Sequence, residues 1–281
     1  MNKLSKKTKA YAKAMKMELR EHKSSFMVYT ILRILVIVSM IRQILNGNYE
    51  NVFLCFATLV LLMVPSFIQL ELRVELPTAL EITILLFIFA AEILGEINEF
   101  YVKIYMWDTV LHTLNGFLAA AIGFSMIDLL NRKKKEAFNL SPFYLAMVAF
   151  CFSMTIGVLW EFFEFAMDHI FMLDMQKDTV INYISSVKIN PDGKNVPVII
   201  NDIESVIING EKLPVNGYLD IGLIDTMKDL FVNFIGAVVF SFIGYFYVKS
   251  RGENKTATRF IPTPKEESAD FLTQAEDESN Q

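Results

Sequence analysis

The feature that most constrains this chain is a series of six apolar stretches, each about 20 residues long. They fall at about 25–45, 51–70, 79–98, 109–130, 142–166 and 228–248. A helix of about 20 apolar residues crosses the hydrocarbon core of a bilayer, which is about 30 Å thick. The whole chain is 53% hydrophobic, which is too apolar for an ordinary soluble domain of 281 residues. We therefore predict an all-α membrane protein, a six-transmembrane-helix bundle.

Basic residues alternate between the two sides of this predicted bundle. Eight precede the first span, and the other two basic groups are Arg132, Lys133, Lys134 and Lys135 after the fourth span and Lys249, Arg251, Lys255, Arg259 and Lys265 after the sixth. The intervening loops carry few, such as Arg42 and Lys103. Lysine and arginine accumulate in cytoplasmic loops. We predict a multi-pass protein of the plasma membrane with both termini in the cytoplasm.

The stretches outside the membrane divide the rest of the chain. Residues 1–24 form a basic cytoplasmic segment, 25–171 carry helices one to five, and 225–248 form helix six. Between them, residues 172–224 contain the β-branched runs VPVII and ESVIING with turn signals at NPDG and NG. This pattern predicts a small β-rich insertion outside the cytoplasm. Residues 249–281 are polar, acidic and interrupted by proline, which predicts a disordered cytoplasmic tail.

Four of the predicted helices carry polar stripes at their outer ends. The stripes are Glu92, Glu96 and Glu99; Asp108, His112 and Asn115; Glu161, Glu164 and Asp168; and Asp225, Asp229 and Asn233. Spacings of three or four residues place each set on one helix face. The predicted topology brings all four ends to the same depth. The sequence therefore predicts that these side chains meet near the outer leaflet.

Carboxylates inside a span need a partner, because burying a charge there costs about 2.5–3.5 kcal/mol at a helix centre. Asp108 and Asp225 each precede a threonine and can also be explained as N-caps. The glutamates end their helices, where the helix dipole disfavours negative charge. Solvation, protonation and a bound cation all remain open as compensation. Oxygen ligands with an imidazole favour a divalent ion such as Zn, Mn, Fe or Mg.

Three sequence blocks, WDTVLHTLNGF, GVLWEFFEF and IDTMKDLFVNFIGA, resemble the YjdF-like family of bacterial inner-membrane proteins. Its motifs match here at Asp108, His112, Gly116, Trp160, Glu161, Glu164, Asp225, Thr226 and Asp229. The resemblance covers about residues 80–248, and this chain departs from it by its long segment between spans five and six. Members are multi-span proteins of unassigned function. The resemblance therefore supports the polar site but implies no particular reaction.

Three functions are compatible with these observations. The first is a metal-assisted enzyme that acts on a lipid or a lipid-linked substrate, with His112, Asp108 and Glu161 as catalytic residues. Its predicted metal ligands are His112, Glu161, Glu164, Asp225 and Asp229. The second is a cation-binding protein or transporter, and the third is a non-catalytic membrane sensor or assembly factor. The expected partner is the lipid bilayer; we expect no nucleic acid, and the sequence does not define an oligomeric state.

Overall fold

The computed structural model of the protein describes residues 3–133, 140–250, 257–266 and 270–280. The helices are α1 (Lys3–Glu21), α2 (Lys23–Leu45), α3 (Tyr49–Leu61), α4 (Val64–Leu72), α5 (Thr78–Phe89), α6 (Phe100–Lys103), α7 (Trp107–Lys133), α8 (Pro142–Phe171), α9 (Leu223–Lys249) and α10 (Phe271–Asn280). Lys134, Lys135, Arg251 and Lys255, which contribute to the predicted charge asymmetry, lie outside the described residues.

Six helical segments in the described part of the chain are long and apolar enough to cross a membrane. They are Lys23–Leu45, Tyr49–Leu72, Thr78–Ile97, Trp107–Asp128, Pro142–Phe171 and Leu223–Lys249. Many of their large apolar side chains, such as Val110, Phe162 and Phe242, are exposed on the protein surface, as expected of residues that face lipid. The prediction of an all-α membrane protein with six spanning helices is confirmed.

Two of the spans are interrupted. In span two, α3 ends at Leu61 and α4 begins at Val64, with Pro65 in its first turn. Proline fits there because the first helical residues lack an intrahelical partner for their N–H groups. In span three, α5 continues into a π-helix over Ala90–Ile97. A π-helix is rare and is often found at functional sites.

The insertion between α8 and α9 contains short strands. They are β2 (Val180–Ile181), β3 (Ile184–Ser186), β4 (Val198–Ile200), β5 (Ile207–Ile208), β6 (Glu211–Lys212) and β7 (Tyr218–Leu219). They form separate antiparallel pairs, β2 with β7, β3 with β4, and β5 with β6. The β5–β6 hairpin turns at Asn209 and Gly210, both with positive φ, as a two-residue Asn-Gly loop requires. The predicted β-rich insertion is present as small sheets.

The chain divides into two compact units. One comprises Met1–Met154 and Val232–Gln281, and the other comprises Thr155–Phe231. The first unit contains a core in which Phe124 of α7, Leu145 of α8 and Phe240 of α9 are fully buried. A second core joins α2, α3 and α5 through residues such as Val36, Cys55 and Leu85.

Helices α7 and α9 approach each other closely in the first unit. A Cβ atom on Gly236 would overlap the backbone oxygen of Thr113, and one on Gly116 would overlap the backbone oxygen of Asn233. The two glycines therefore allow backbone-to-backbone contact, which is the usual role of small residues between membrane helices. This contact fixes how α7 and α9 align along their lengths.

The chain after α9 is ordered where the structure describes it. Strand β8 (Thr263–Pro264) pairs with β1 (Val74–Glu75), Ile261 is buried in the core around Phe124, and Ala275 of α10 packs against α1. The composition predicts disorder for residues 249–281, and this stays a prediction for the tail as a whole, whereas these described residues pack against the bundle. A few apolar residues suffice here because α1 and α4 provide a surface that covers them, and composition does not register such a surface.

In the second unit, two aspartates stabilise the two ends of the insertion, which we call its base. Asp220 accepts hydrogen bonds from the backbone N–H groups of Thr179 at 2.7 Å and Ile224 at 2.8 Å. Asp168, in the last turn of α8, accepts from the N–H groups of Met175 at 2.6 Å and Gln176 at 2.9 Å. The segment that follows α8 is therefore held in place by aspartates that accept hydrogen bonds from its backbone N–H groups.

Substitution of Gly236 by alanine should destabilise the protein. Its Cβ would overlap backbone, which no side-chain rotation can relieve, and overpacking of this kind costs about 1–3 kcal/mol. Thermal unfolding of the purified protein in detergent measures the loss. The control is Val239→Ala on the same helix, where the side chain is 48% exposed and little change is expected. Equal melting temperatures for Gly236→Ala and the native protein would contradict the close approach.

Substitution of Asp220 by alanine should loosen the base of the insertion without unfolding the helices. Loss of an aspartate that caps backbone N–H groups costs about 1 kcal/mol, so amide exchange at Thr179 and Ile224 should accelerate about fivefold. Hydrogen–deuterium exchange measures this change. Asp192→Ala, at an exposed turn where the carboxylate pairs with Lys194, is the control. The prediction fails if both variants exchange alike at these two amides.

Candidate metal centre

The start of α7 brings an aspartate and a histidine together. Met106 has a positive φ of 64°, which separates α6 from α7, and Trp107 begins the helix. One turn into α7, His112 Nε2 lies 3.4 Å from Asp108 Oδ1. The spacing of four residues places both side chains on one face. His112 is only 9% exposed, so the pair lies in a protected environment.

A layer of polar side chains lies one turn deeper. Asn115 Nδ2 donates to Asn233 Oδ1 at 3.3 Å, and the Ser153 hydroxyl of α8 donates to the backbone oxygen of Gly116 at 2.7 Å. Asn233 also donates to the backbone oxygen of Ser153 at 3.4 Å. These bonds join α7, α8 and α9 at the level where Gly116 permits close approach.

The asparagine pair aligns the polar faces of α7 and α9. His112 and Asn115 are three residues apart on α7, and Asp229 and Asn233 are four residues apart on α9, so each pair shares a helix face. Asp229 is 1% exposed. One ligand atom from each of Asp108, His112 and Asp229 lies within 4.8 Å of the others. In the described part of the chain, this is the group that could hold a metal ion.

The donor set of this group fits a divalent cation. Two carboxylates and one imidazole suit hard or borderline ions such as Mg, Mn, Fe and Zn. Ligand atoms at 2.0–2.2 Å from one ion are at most about 4.4 Å apart, so small side-chain rotations would bring these atoms into range. The three residues therefore have the chemistry and nearly the geometry of a metal site.

Glu161 and Glu164 are buried on α8. They are 4% and 7% exposed, and Glu164 Oε1 accepts a hydrogen bond from Trp160 Nε1 at 2.8 Å. Trp160 thus holds one of the two carboxylates in a defined rotamer. Neither glutamate belongs to the group of Asp108, His112 and Asp229. Their role as ligands or as a general base stays a prediction.

Two other acids of the predicted stripes bind backbone. Asp225 Oδ2 accepts from the Lys177 N–H at 2.9 Å, and Asp168 binds the residues that follow α8, as described above. The sequence favours a solvated Asp168 and an N-cap role for Asp225. It does not indicate that both carboxylates bind the backbone of the residues that follow α8. Asp225 is outside the three-residue group, and its predicted role as a ligand remains untested.

The predicted stripe of Glu92, Glu96 and Glu99 is divided by the end of the helix in span three. Glu92 and Glu96 lie in the π-helix, whereas Glu99 follows it with a positive φ of 60°. Glu99 Oε2 pairs with Lys103 at 2.7 Å, and the hydrogen bond and charge of Lys103 lower the pKa of Glu99. An α-helical spacing predicts one continuous stripe, but Glu99 lies beyond the helix and has a local cationic partner.

Two contributors to the site have weak signals in the sequence. Ser153 is a single serine within the apolar run of α8, fully buried beside Gly116. The Trp160–Glu164 bond joins residues four apart on one helix face, a spacing that the sequence contains. The sequence signal for Ser153 is a hydroxyl group within an apolar span, together with a glycine in another span, because such residues occur where membrane helices pack closely.

Comparisons with known proteins agree with this architecture. The family model described as "Predicted membrane protein (DUF2238)" matches residues 27–250, and the matched range runs through the insertion. An "Uncharacterized protein" of Thermotoga maritima is 29% identical over 96 residues, which are 34% of this chain and 47% of that protein. The chain therefore spans about half the length of this relative. No solved structure matches significantly.

The family match covers most of the chain, including both helices that carry the Asp-His-Asp group. The YjdF-like family, which the three sequence blocks indicate, is the same family. The chain therefore belongs to the DUF2238 family of multi-pass membrane proteins.

Proposed function

We propose that the protein is a metal-assisted enzyme of the plasma membrane that acts on a lipid or a lipid-linked substrate. The observation that carries this proposal is the convergence of Asp108, His112 and Asp229, whose ligand atoms lie within 4.8 Å of one another. His112 and Asp229 are buried, and buried ionisable groups in a spanning segment are costly and usually connected with function. A divalent ion, Zn, Mn, Fe or Mg, is the proposed cofactor.

The three residues have separate tasks in this proposal. Asp108, 3.4 Å from Nε2, orients the imidazole of His112, as carboxylates commonly do for ligating or basic histidines. Asp229 contributes a carboxylate that is shielded from water. When bound, the ion would polarise a phosphoryl or carbonyl oxygen of the substrate and activate water. The Asn115–Asn233 bond keeps the helix faces of these ligands aligned.

We extend the site to Glu161 and Glu164 of α8 and to Asp225 of α9. The two glutamates are buried carboxylates near the end of a span, where one can act as a general base and the other as a ligand. Trp160 restrains Glu164 through its indole N–H. Asp225 binds the Lys177 backbone N–H through Oδ2, and it is the predicted ligand nearest the start of α9. We also propose that both termini are cytoplasmic, which the basic residues of the loops favour, and that the end of the bundle that carries these acids faces the outer leaflet.

The metal centre can be tested by metal analysis. Protein purified in detergent and treated with a chelator is titrated with Zn²⁺, Mn²⁺, Fe²⁺ or Mg²⁺, and bound metal is measured by mass spectrometry. We expect one ion per chain, and His112→Gln or Asp229→Asn should weaken binding by more than about a hundredfold, because loss of even an outer-shell partner costs about 10–100-fold.

Two variants serve as controls for this titration. His169→Gln changes an exposed histidine that stacks on Phe165 at 3.9 Å and should leave binding unchanged. Asp225→Asn distinguishes a three-residue centre from the larger ligand set, since only the larger set loses affinity. If the native protein binds none of the four ions, or if His112→Gln binds as well as the native protein, the proposed centre is wrong.

Cation transport is the second candidate function. It is favoured by two buried carboxylates in the opposite halves of the spans, Glu81 of α5 at 5% exposure and Asp128 of α7 at 7%. Ionisable residues inside spans often mark ion pathways. A transporter would use the Asp-His-Asp group as an entry site and these carboxylates as later stations.

Flux into proteoliposomes separates the two functions. A transporter should carry Mn²⁺ or Zn²⁺ across the bilayer, and Asp128→Asn should reduce the flux about tenfold or more because it removes a buried charge from the path. The same variant should bind metal normally at the centre. Asp192→Asn, in the insertion, is the matched control. Metal binding without flux in the native protein would leave the enzyme as the supported function.

A further inference from the structure

A second group of ionisable side chains, most of them buried, lies where α1, the start of α5 and the residue after β8 come together. Glu18 and Glu21 belong to α1, Glu81 belongs to α5, and Lys265 follows β8. Lys265 Nζ lies 2.5 Å from both oxygens of Glu18 and 3.5 Å from Glu21 Oε2. The side chains of Lys265 and Glu18 are 3% and 0% exposed. This is a buried ionic cluster formed by residues far apart in the sequence.

The cluster contains more acid than base. Glu18, Glu21 and Glu81 are three carboxyl groups, and Lys265 pairs with Glu18 and Glu21. Glu81 is 5% exposed, and its Oε2 has no hydrogen-bond partner within the parts of the chain that the structure describes. Glu21 and Glu81 both act on Glu18 by charge repulsion. Glu18 and Glu81 are buried and Glu21 is partly exposed, and buried carboxylates are unfavourable in the charged form unless positive charge or a proton is taken up.

Lys265 reaches the cluster on the C-terminal segment, which we define as residues 257–266 and 270–280. Its N–H donates to the backbone oxygen of Arg73 at 3.0 Å, beside the β1–β8 pair. Beyond it, α10 packs against α1 through Ala275, and Glu278 pairs with Lys13 of α1. Among the residues that the structure describes, the segment that closes the cluster is attached to the bundle through Ile261 in the core around Phe124, the β1–β8 pair, α10 and ion pairs.

We propose that Glu18, within its cluster with Glu21, Glu81 and Lys265, is a proton-binding site, and that it holds the C-terminal segment more tightly at acidic pH than at alkaline pH. The equilibrium between the attached and the detached C-terminal segment then depends on proton uptake. Lys265 supplies one positive charge to the buried carboxylates, and a proton supplies another. This inference does not depend on the metal centre, which uses other residues of the chain.

The pKa of Glu18 is shifted in the direction that the proposal requires. Burial raises its pKa from 4.5 to about 7, against the effect of Lys265 and with help from Glu21 and Glu81. When the segment detaches, Glu18 meets water and its pKa returns toward 4.5. A carboxyl group whose pKa is raised on closure favours the closed form below the lower value, and this contribution is lost as the pH rises through the higher one.

Other titratable groups face the cluster and have to be separated from Glu18. His22 joins α1 to α2, and its Nε2 lies 3.6 Å from Glu75 Oε1 of β1. Arg73, after α4, pairs with Asp270 of the segment at 3.6 Å. Histidine can change its charge between pH 5 and 8, so His22 requires its own variant. Arginine stays charged over this range, and the Asp270 carboxyl group lies outside the buried cluster.

Hydrogen–deuterium exchange of the full-length protein in nanodiscs tests the proposal. Protection factors, corrected for intrinsic exchange, report the opening equilibrium of peptides from residues 257–265 and from α10. Between about pH 5.5 and about pH 8.5, the two values of the Glu18 pKa predict a decrease in protection of about thirtyfold. Peptides from α7 provide the internal reference and should change little.

Three variants make the test specific. Glu18→Gln cannot titrate and should abolish the decrease, whereas His22→Gln should retain it. Lys265→Met removes the cation that lowers the Glu18 pKa, so the midpoint of the decrease should move to a more alkaline pH. The proposal is overturned if the native protein shows equal protection at both pH values, if Glu18→Gln keeps the decrease, or if Lys265→Met leaves the midpoint in place.

Discussion

The backbone contact between α7 and α9 is the constraint on which the rest of the structure depends. Gly116 and Gly236 leave no space for a side chain between these helices, so the helices align at one position. In a bilayer, lipid tails are as apolar as leucine, and close packing with interhelical hydrogen bonds takes the place of the hydrophobic effect. The Asn115–Asn233 bond and the Ser153–Gly116 bond occur at this level. The ligands of the candidate metal centre lie one turn away.

The structure also shows two uses of negative charge in one chain. Asp168, Asp220 and Asp225 lie in polar surroundings and bind backbone N–H groups, so their charges stabilise local structure. Asp229 and Glu18 are buried instead, at 1% and 2% exposure. Buried carboxylates require a cation, a proton or an ammonium group nearby. The two groups of acids therefore differ in their surroundings, and the buried ones are those of the two proposed sites.

Much of the architecture could be predicted from hydrophobic length alone. Six spans follow from apolar stretches of about 20 residues, and the Asn209–Gly210 hairpin follows from its turn residues. The pairing of Asp108 with His112 follows from helical spacing, and the structure adds Asp229 to them. Helix rotation decides which stripes meet, and spacing cannot specify it. The predicted stripe of Glu92, Glu96 and Glu99 is interrupted because Ala90–Ile97 form a π-helix and Glu99 has a positive φ.

The base of the insertion has a consequence for how this protein can change over evolutionary time. Strands β2 and β7 pair Val180 with Leu219, so the two ends of the intervening loop are held side by side next to the aspartate-bound segments. Residues between them can be added, lost or replaced while the entrance and exit of the chain stay fixed. The architecture thus joins an insertion that tolerates changes in length to membrane helices that have no space for a side chain at Gly116 and Gly236.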